Sequence, residues 1–305
     1  MSFEPAEAPA GLSELSDADF TALAAIIHRE TGICLPPAKR ALLQSRLYKR
    51  LKALGLPGFS DYRRLLESRA DPAEPAELIS AITTNVTRFR REAHHFEHLA
   101  EEVLPELVAR ARRGARVRLW SAGCATGEEP YTLAFAVLAA CPDAPALDIR
   151  ILATDLDKSA IARAEAGVYP DSALAPLDAR ARAAHFERDP ATGEMRVADA
   201  PRRLVRFAVL NLLEPWPFQG GFDVILCRNV VIYFDAETQD RLWRRFASVQ
   251  KRRGDRLYIG HSERLSDRAR AFYRLDGAGY VRTGAAAEPP ERGSEDMKGR
   301  PAGWV

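Results

Sequence analysis

The sequence predicts an α/β protein in which an all-α N-terminal domain precedes a mostly parallel sheet carrying a small inserted antiparallel β subdomain. Three observations carry this expectation. No alternating apolar segment occurs before residue 115, whereas helical periodicity is plain there. From Arg116 onward, short apolar runs ending in polar or glycine residues alternate with helical stretches, the rhythm of βαβ units. The last two apolar runs lie only a few residues apart, too close for a helical crossover, and so predict an antiparallel hairpin at the sheet's end.

The elements follow in order. Ser16-Asp17 offers a helix N-cap before Phe20, Leu23, Ala24 and Ile27, and Gly32 stops that helix. A second helix is expected from about Pro37 to Leu54, ending at Gly55, with further helical patterns over 60–70 and 74–84. The strand candidates are VRLW, DIRILATD, LVRFAVLNLL, FDVILCRN and DRLYIGHSE, then AFYRL and GYVRT with Gly277 between them. In the arginine-rich stretch 169–203, HFERDPATGEMRV has Pro190 and Gly193 bracketing a turn between extended segments, which gives the inserted subdomain. The expected organisation is a flexible N-terminus over 1–16, an all-α domain over 17–88, a linker over 89–97, an α/β domain over 98–283 and a disordered tail over 284–305.

Composition excludes several classes. The 305 residues hold 44 basic and 42 acidic side chains and are 47% apolar, so a real core can be buried and bulk charge points to no nucleic acid. Cys34, Cys124, Cys141 and Cys227 lack metal-site spacing and predict no disulfide framework. The opening MSFEPAEAPA is no signal peptide, and no stretch approaches the roughly 20 apolar residues of a membrane helix. A cytoplasmic monomer, not inserted in membrane, is expected. His94 and His98 stand four apart with Glu97 alongside, but no third metal ligand is apparent, so a histidine-rich connecting helix is the better reading.

The chemistry concentrates at the ends of strand candidates. RVRLWSAGCATGEEPYTLAFAVLAA is strand, glycine turn and helix, the arrangement that brings backbone close to a nucleotide-like ligand. Gly123 and Gly127 are present, but Ala125 replaces the middle glycine that lets a backbone approach a pyrophosphate, which favours a cofactor without one, such as S-adenosylmethionine. Asp155 ends the second strand, placed either to accept both ribose hydroxyls of an adenosine or simply as a turn residue; Asp157 fits a helix cap. Either Glu128 or Glu129, at the helix start, could bind an ammonium group. Asn211-Leu212 and Arg228-Asn229 close two further strands at the ligand-binding edge, and Tyr233 either lines the site or packs.

TNVTRFRRE, SAGCATGEEPYT, LATDLD, FDVILCRNVVIYF and IGHSE, in this order after a helical domain, resemble the CheR family of chemoreceptor glutamate methyltransferases, over roughly residues 17–283. The resemblance implies a Rossmann-like class I methyltransferase sheet that takes a methyl group from S-adenosylmethionine, leaves S-adenosylhomocysteine, and needs no metal. It implies that Asn85, Thr87, Arg91, Gly123, Glu128, Asp155, Asn211, Leu212, Arg228 and Asn229 surround the cofactor, with Arg91 and Tyr233 flanking the transferred methyl. One departure is Arg90, where the family often has a second phenylalanine; register with Glu92 favours Arg91 as the catalytic arginine.

KRALLQSRLYKRLK, residues 39–52, has six basic residues and no acidic one. On a helix at about 100° per residue, Leu43, Leu47, Leu51 and Leu54 form one stripe, with Lys39, Arg46, Lys49 and Arg50 on an arc beside it. CheR-like proteins dock such a face on the acidic cytoplasmic helices of methyl-accepting receptors, and the resemblance implies the same partner here. The alternatives are a non-catalytic S-adenosylmethionine-binding sensor or scaffold, or a nucleic-acid methyltransferase using the same basic face.

Overall fold

The computed structural model describes residues 14–218 and 220–283. Most of the expected flexible N-terminus, residues 1–13, and the expected disordered tail, 284–305, lie outside the described residues. The chain divides into two compact units: residues up to Thr84 together with Tyr233–Asp235, and Asn85–Ile232 with the chain from Ala236 onward.

The first unit is a set of four helices. Helix α1 (Asp17–Thr31) starts where the Ser16 hydroxyl accepts the Asp19 N–H at 3.1 Å and stops where Gly32, at φ 73°, turns left-handed and donates to the His28 carbonyl. A 3-10 turn over Pro37–Lys39 leads into α2 (Arg40–Leu54), followed by α3 (Phe59–Ser68) and α4 (Glu74–Ile82). Leu23, Ile27, Leu47, Leu51, Phe59 and Tyr62 form its fully buried centre, each contributing about 1.5–3 kcal/mol by the area it removes from water. Tyr233–Asp235 join this unit through the Cys34 N–H, which donates to the Tyr233 carbonyl at 2.8 Å, and through His28, which pairs with Asp235 at 3.2 Å.

The second unit opens with α5 (Ala93–His98), one π turn (Leu99–Val103) and α6 (Leu104–Arg112), then enters the sheet at β1 (Val117–Ala122). The stretch expected as a linker, 89–97, is instead part of this unit, because Phe89 is fully buried against Phe135, Tyr169 and Phe186. In chain order come α7 (Glu128–Ala140), β2 (Ile149–Asp155), α8 (Lys158–Ala166), β3 (Val168–Tyr169), α9 (Ala179–His185), β4 (Phe186–Arg188), β5 (Met195–Val197) and α10 (Asp199–Leu204). They are followed by β6 (Val205–Val209), β7 (Val224–Cys227), α11 (Ala236–Val249), β8 (Arg256–Ile259), β9 (Tyr273–Asp276) and β10 (Gly279–Arg282).

The main sheet has seven strands in the order β6-β2-β1-β7-β8-β10-β9, and a separate three-stranded antiparallel sheet, β3-β5-β4, forms the insert. Strands β6, β2, β1, β7 and β8 are parallel neighbours, with Leu119 in register with Ile151 on one side and Val224 on the other. The hairpin β9–β10 adds two antiparallel strands through Gly277 at φ 58°, as the short spacing predicts. In the insert, the Asp189 carboxylate accepts the N–H groups of Ala191 and Thr192, and Gly193 at φ 72° completes the turn between β4 and β5. From β1 the chain winds to β2 and β6 on one side and to β7 and β8 on the other. The order therefore reverses between β1 and β7, where open α/β sheets hold ligands beyond the strands' carboxyl ends.

Among the described residues no helix is long and apolar enough to cross a membrane.

Candidate active site

The glycine turn leaves β1 at this reversal. Gly123 has φ 86°, and a Cβ there would come within 2.3 Å of the Val230 side chain, so only glycine allows the loop after β7 to approach so closely. Ala125 sits in the left-handed region at φ 48°, a conformation that costs a non-glycine residue of order 1 kcal/mol. The Asp155 carboxylate stabilises it by accepting the Ala125 N–H at 2.8 Å and the Asp157 N–H at 2.9 Å. Burial raises the Asp155 pKa even so, and no ion pair to a cation is found for it among the described residues. Its remaining acceptor capacity suits hydroxyl donors such as those of a ribose. Asp157 caps α8 through Ser159 and Ala160 and also receives Asn85 Nδ2 at 2.6 Å, so Asn85 is held beside the Asp155 turn.

The two glutamates at the start of α7 separate cleanly. Glu129 is already satisfied, by Arg228 at 2.9 Å and the Ser121 hydroxyl at 2.7 Å. Glu128 is buried with one side-chain partner, the Thr126 hydroxyl at 2.7 Å, and burial raises its pKa. No cation contacts it among the described residues, and a buried carboxylate in that setting fits an ammonium ligand better than its paired neighbour does. Together with the Asp155 turn, this set of acceptors fits S-adenosylmethionine.

On the other strands, Asn211 closes β6 with its side-chain oxygen on the Leu213 N–H at 3.0 Å, while the buried Leu212 offers its carbonyl to Arg245 at 2.6 Å and to Trp216 at 3.3 Å. Arg228, expected beside the cofactor, turns its side chain into the protein. Its guanidinium is 2% exposed and engaged with Glu129, Glu92 and the Arg91 carbonyl, because a cation at that depth needs paired carboxylates to offset its desolvation. Asn229 follows in the left-handed region at φ 60°. Arg91 is half-buried and donates to the Val86 carbonyl at 3.1 Å, whereas Arg90 is exposed and paired with Glu97 at 3.1 Å. Thr87 is half-buried on the same segment.

Sequence reasoning gave no role to Glu263 of IGHSE. Its buried carboxylate accepts four backbone N–H groups, from Asn229 at 2.9 Å, Val230 at 2.8 Å, Val231 at 2.9 Å and Gly260 at 2.6 Å, and so fixes the loop after β7 to the end of β8. Its signal in the sequence is its place in IGHSE, just past a strand end, where nothing local names its partners. Gly260 completes the clamp, since a Cβ there would lie within 2.8 Å of the Asn229 amide.

In HHFEH, His98 Nδ1 meets the Tyr258 hydroxyl at 2.9 Å and the His95 ring packs on Tyr258, its pKa pushed down to about 3 by burial and by the nearby Arg228 charge. No group of three His, Cys, Asp or Glu side chains that could hold a metal occurs among the described residues.

The basic face of α2 also departs from expectation. Arg50 is paired with the buried Glu74 and with Glu77 at 3.1 Å. Arg46 turns to the carbonyls of Ile82 and Thr83 and to the Thr84 hydroxyl at 2.6 Å, and burial lowers its pKa. Both arginines hold α4 and its exit in place instead of forming an unpaired exposed stripe. Lys39 and Lys49 are exposed.

A parallel sheet that reverses beside a glycine turn and an acidic strand end defines a Rossmann-like domain of the nucleoside-binding kind. Residues 18–83 match the model of the CheR methyltransferase all-alpha domain, and residues 85–281 that of the CheR methyltransferase SAM binding domain. A probable chemotaxis protein methyltransferase of Rhizobium etli is 48% identical over 250 residues, covering 81% of this chain and 93% of its own. The chemotaxis protein methyltransferases of Klebsiella aerogenes and Escherichia coli are 42% and 39% identical, over 85% of this chain and 87% and 88% of theirs. The chain belongs to the CheR methyltransferase family and is an S-adenosylmethionine-dependent methyltransferase.

Proposed function

We propose that the chain methylates glutamate side-chain carboxylates on the cytoplasmic helices of methyl-accepting chemoreceptors, acting as a cytoplasmic monomer in a chemosensory pathway. The observation that supports this best is Arg91, half-buried on a strained segment. When bound, S-adenosylmethionine supplies a sulfonium methyl that a glutamate, ionised above its reference pKa of about 4.3, can accept without a general base or a metal.

The protein's part is then positioning and partial exclusion of water. Glu128 would take the ammonium, Asp155 the ribose hydroxyls, and Asn85, Thr87, Gly123, Asn211, Leu212 and Asn229 would shape the rest of the cofactor cleft. Arg91 would hold the acceptor carboxylate by charge-assisted hydrogen bonds, and the Tyr233 hydroxyl would assist, the two serving as the catalytic residues. Arg228 would act on the cleft from behind, through Glu129 and Glu92. The exposed Lys39 and Lys49 would steer acidic receptor helices to the N-terminal unit.

Incubation with methyl-labelled S-adenosylmethionine and a receptor cytoplasmic fragment, followed by peptide mapping, tests the reading. Label on glutamate residues is expected. Label confined to other side chains, or to nucleic acid offered in competition, contradicts it.

A further inference from the structure

Arg91 lies between two residues in the left-handed region, Arg90 and Glu92, each at φ 55°. Neither is glycine, so each is strained and persists only where surrounding contacts fix it. The Arg90 N–H is held by the Thr132 hydroxyl at 3.2 Å. On the other side, Glu92 is held at both oxygens: Oε2 accepts from Arg228 at 3.2 Å and Oε1 from the His261 ring at 2.7 Å.

Arg228 is the hub. Besides Glu92 it bonds Glu129 at 2.9 Å and donates to the Arg91 carbonyl itself, while its guanidinium lies over the Phe96 ring at 5.3 Å. Glu129 in turn accepts the Ser121 hydroxyl at 2.7 Å. The network thereby ties the backbone of Arg91 to the carboxyl ends of β1 and β7, to the first turn of α7 and to the second residue after β8. Burial would raise the Glu92 carboxyl, but hydrogen bonds from His261 and the charge and hydrogen bond of Arg228 outweigh it and bring it to about 2.

We infer that Glu92 and Arg228 are positioning residues for the methyl transfer, fixing the strained backbone on both sides of Arg91 so that its guanidinium meets the acceptor, with His261 as the network's outer anchor. The inference rests on the proposed role of Arg91. On this reading Arg228 acts mainly through its three acceptors, Glu129, Glu92 and the Arg91 carbonyl, its side chain being 2% exposed.

The test is a double-mutant cycle between Glu92→Gln and Arg91→Ala, read as kcat, KM, S-adenosylhomocysteine affinity by calorimetry and melting temperature. Glu92→Gln keeps the shape and leaves Arg228 paired with Glu129. It should lower kcat about tenfold or more with less than about a threefold change in S-adenosylhomocysteine affinity, and should have no further effect on kcat once Arg91 is alanine. Additive losses in the cycle, or a fall in melting temperature with kcat unchanged, overturn the inference and leave the Arg91 reading standing. Full turnover in Arg91→Ala sinks both. His261→Ala removes only an exposed anchor and serves if Glu92→Gln does not fold. It should lower kcat about two- to fivefold, again with no effect in the Arg91→Ala background, and an unchanged kcat there contradicts the network's role just as firmly.

Discussion

Asp155 illustrates how a single side chain does two jobs at a sheet edge. It props the left-handed Ala125 turn and keeps a half-buried carboxylate ready for further donors. Asp155→Ala should therefore weaken S-adenosylhomocysteine binding by about 1–3 kcal/mol in calorimetry performed in chelator, where the unsubstituted protein still binds. Unchanged affinity would reduce Asp155 to a turn residue. Its position and the capping role of Asp157 were legible because both depend on neighbours a few residues away. Glu263, Glu92 and the burial of Arg228 were not, because their partners are brought together only by the sheet: Glu263 bonds Asn229 from 34 residues away, and Arg228 reaches Glu92 across 136.

At the scale of elements, the α2 helix shows why charge patterning alone does not reveal which cations are paired within the fold. The run 39–52 contains no acid, yet α4 brings Glu74 and Glu77 against Arg50, and the Tyr62 hydroxyl donates to the same Glu74 at 2.6 Å. Arg50→Ala would strand the Glu74 carboxylate in the core and should cost the N-terminal unit about 3 kcal/mol, visible as a lowered urea midpoint. The double substitution Lys39→Glu, Lys49→Glu touches only exposed charges. It should leave stability and cofactor affinity alone while slowing receptor methylation at low substrate, a deficit that shrinks as salt rises. Methylation indifferent to both lysines and salt would move receptor docking elsewhere. The helices themselves were legible from caps and periodicity, including the Ser16 start and the Gly32 and Gly55 stops. Helices α9 and α10 in the insert, seven and six residues long, were hidden because such short segments carry little periodicity.

Over the whole second unit, the sheet separates chemistry from a second set of buried charges at its opposite end. Asp223 accepts Arg110 at 2.6 Å and the Arg118 N–H at 2.8 Å, and Asp255 stands beside it. Burial, then repulsion from Asp223, raises the Asp255 carboxyl from 3.8 to about 8 against the opposing charges of Arg110 and Arg282. The folded protein thus keeps a proton that the unfolded chain has released, so this group's contribution to stability falls as pH climbs from 3.8 to about 8. Asp255→Asn removes that titration, and its unfolding free energy relative to the unsubstituted protein should grow across the same window. A difference independent of pH would show that Asp255 is ionised throughout. Strand content and the parallel core were legible from the run of apolar segments, but the order of the strands, and hence the reversal between β1 and β7, is a property of the assembled sheet.

The proposed reaction leaves a methyl ester, which alkali cleaves to methanol, whereas methyl groups on nitrogen or thioether sulfur resist it. After incubation of receptor fragment with methyl-labelled S-adenosylmethionine and this protein, mild alkaline hydrolysis should release the incorporated label quantitatively as volatile methanol, and the Arg91→Ala variant should give little. Label that stays on the protein after alkali would contradict carboxylate methylation, and no incorporation into receptor at all would leave a cofactor-binding protein without this activity.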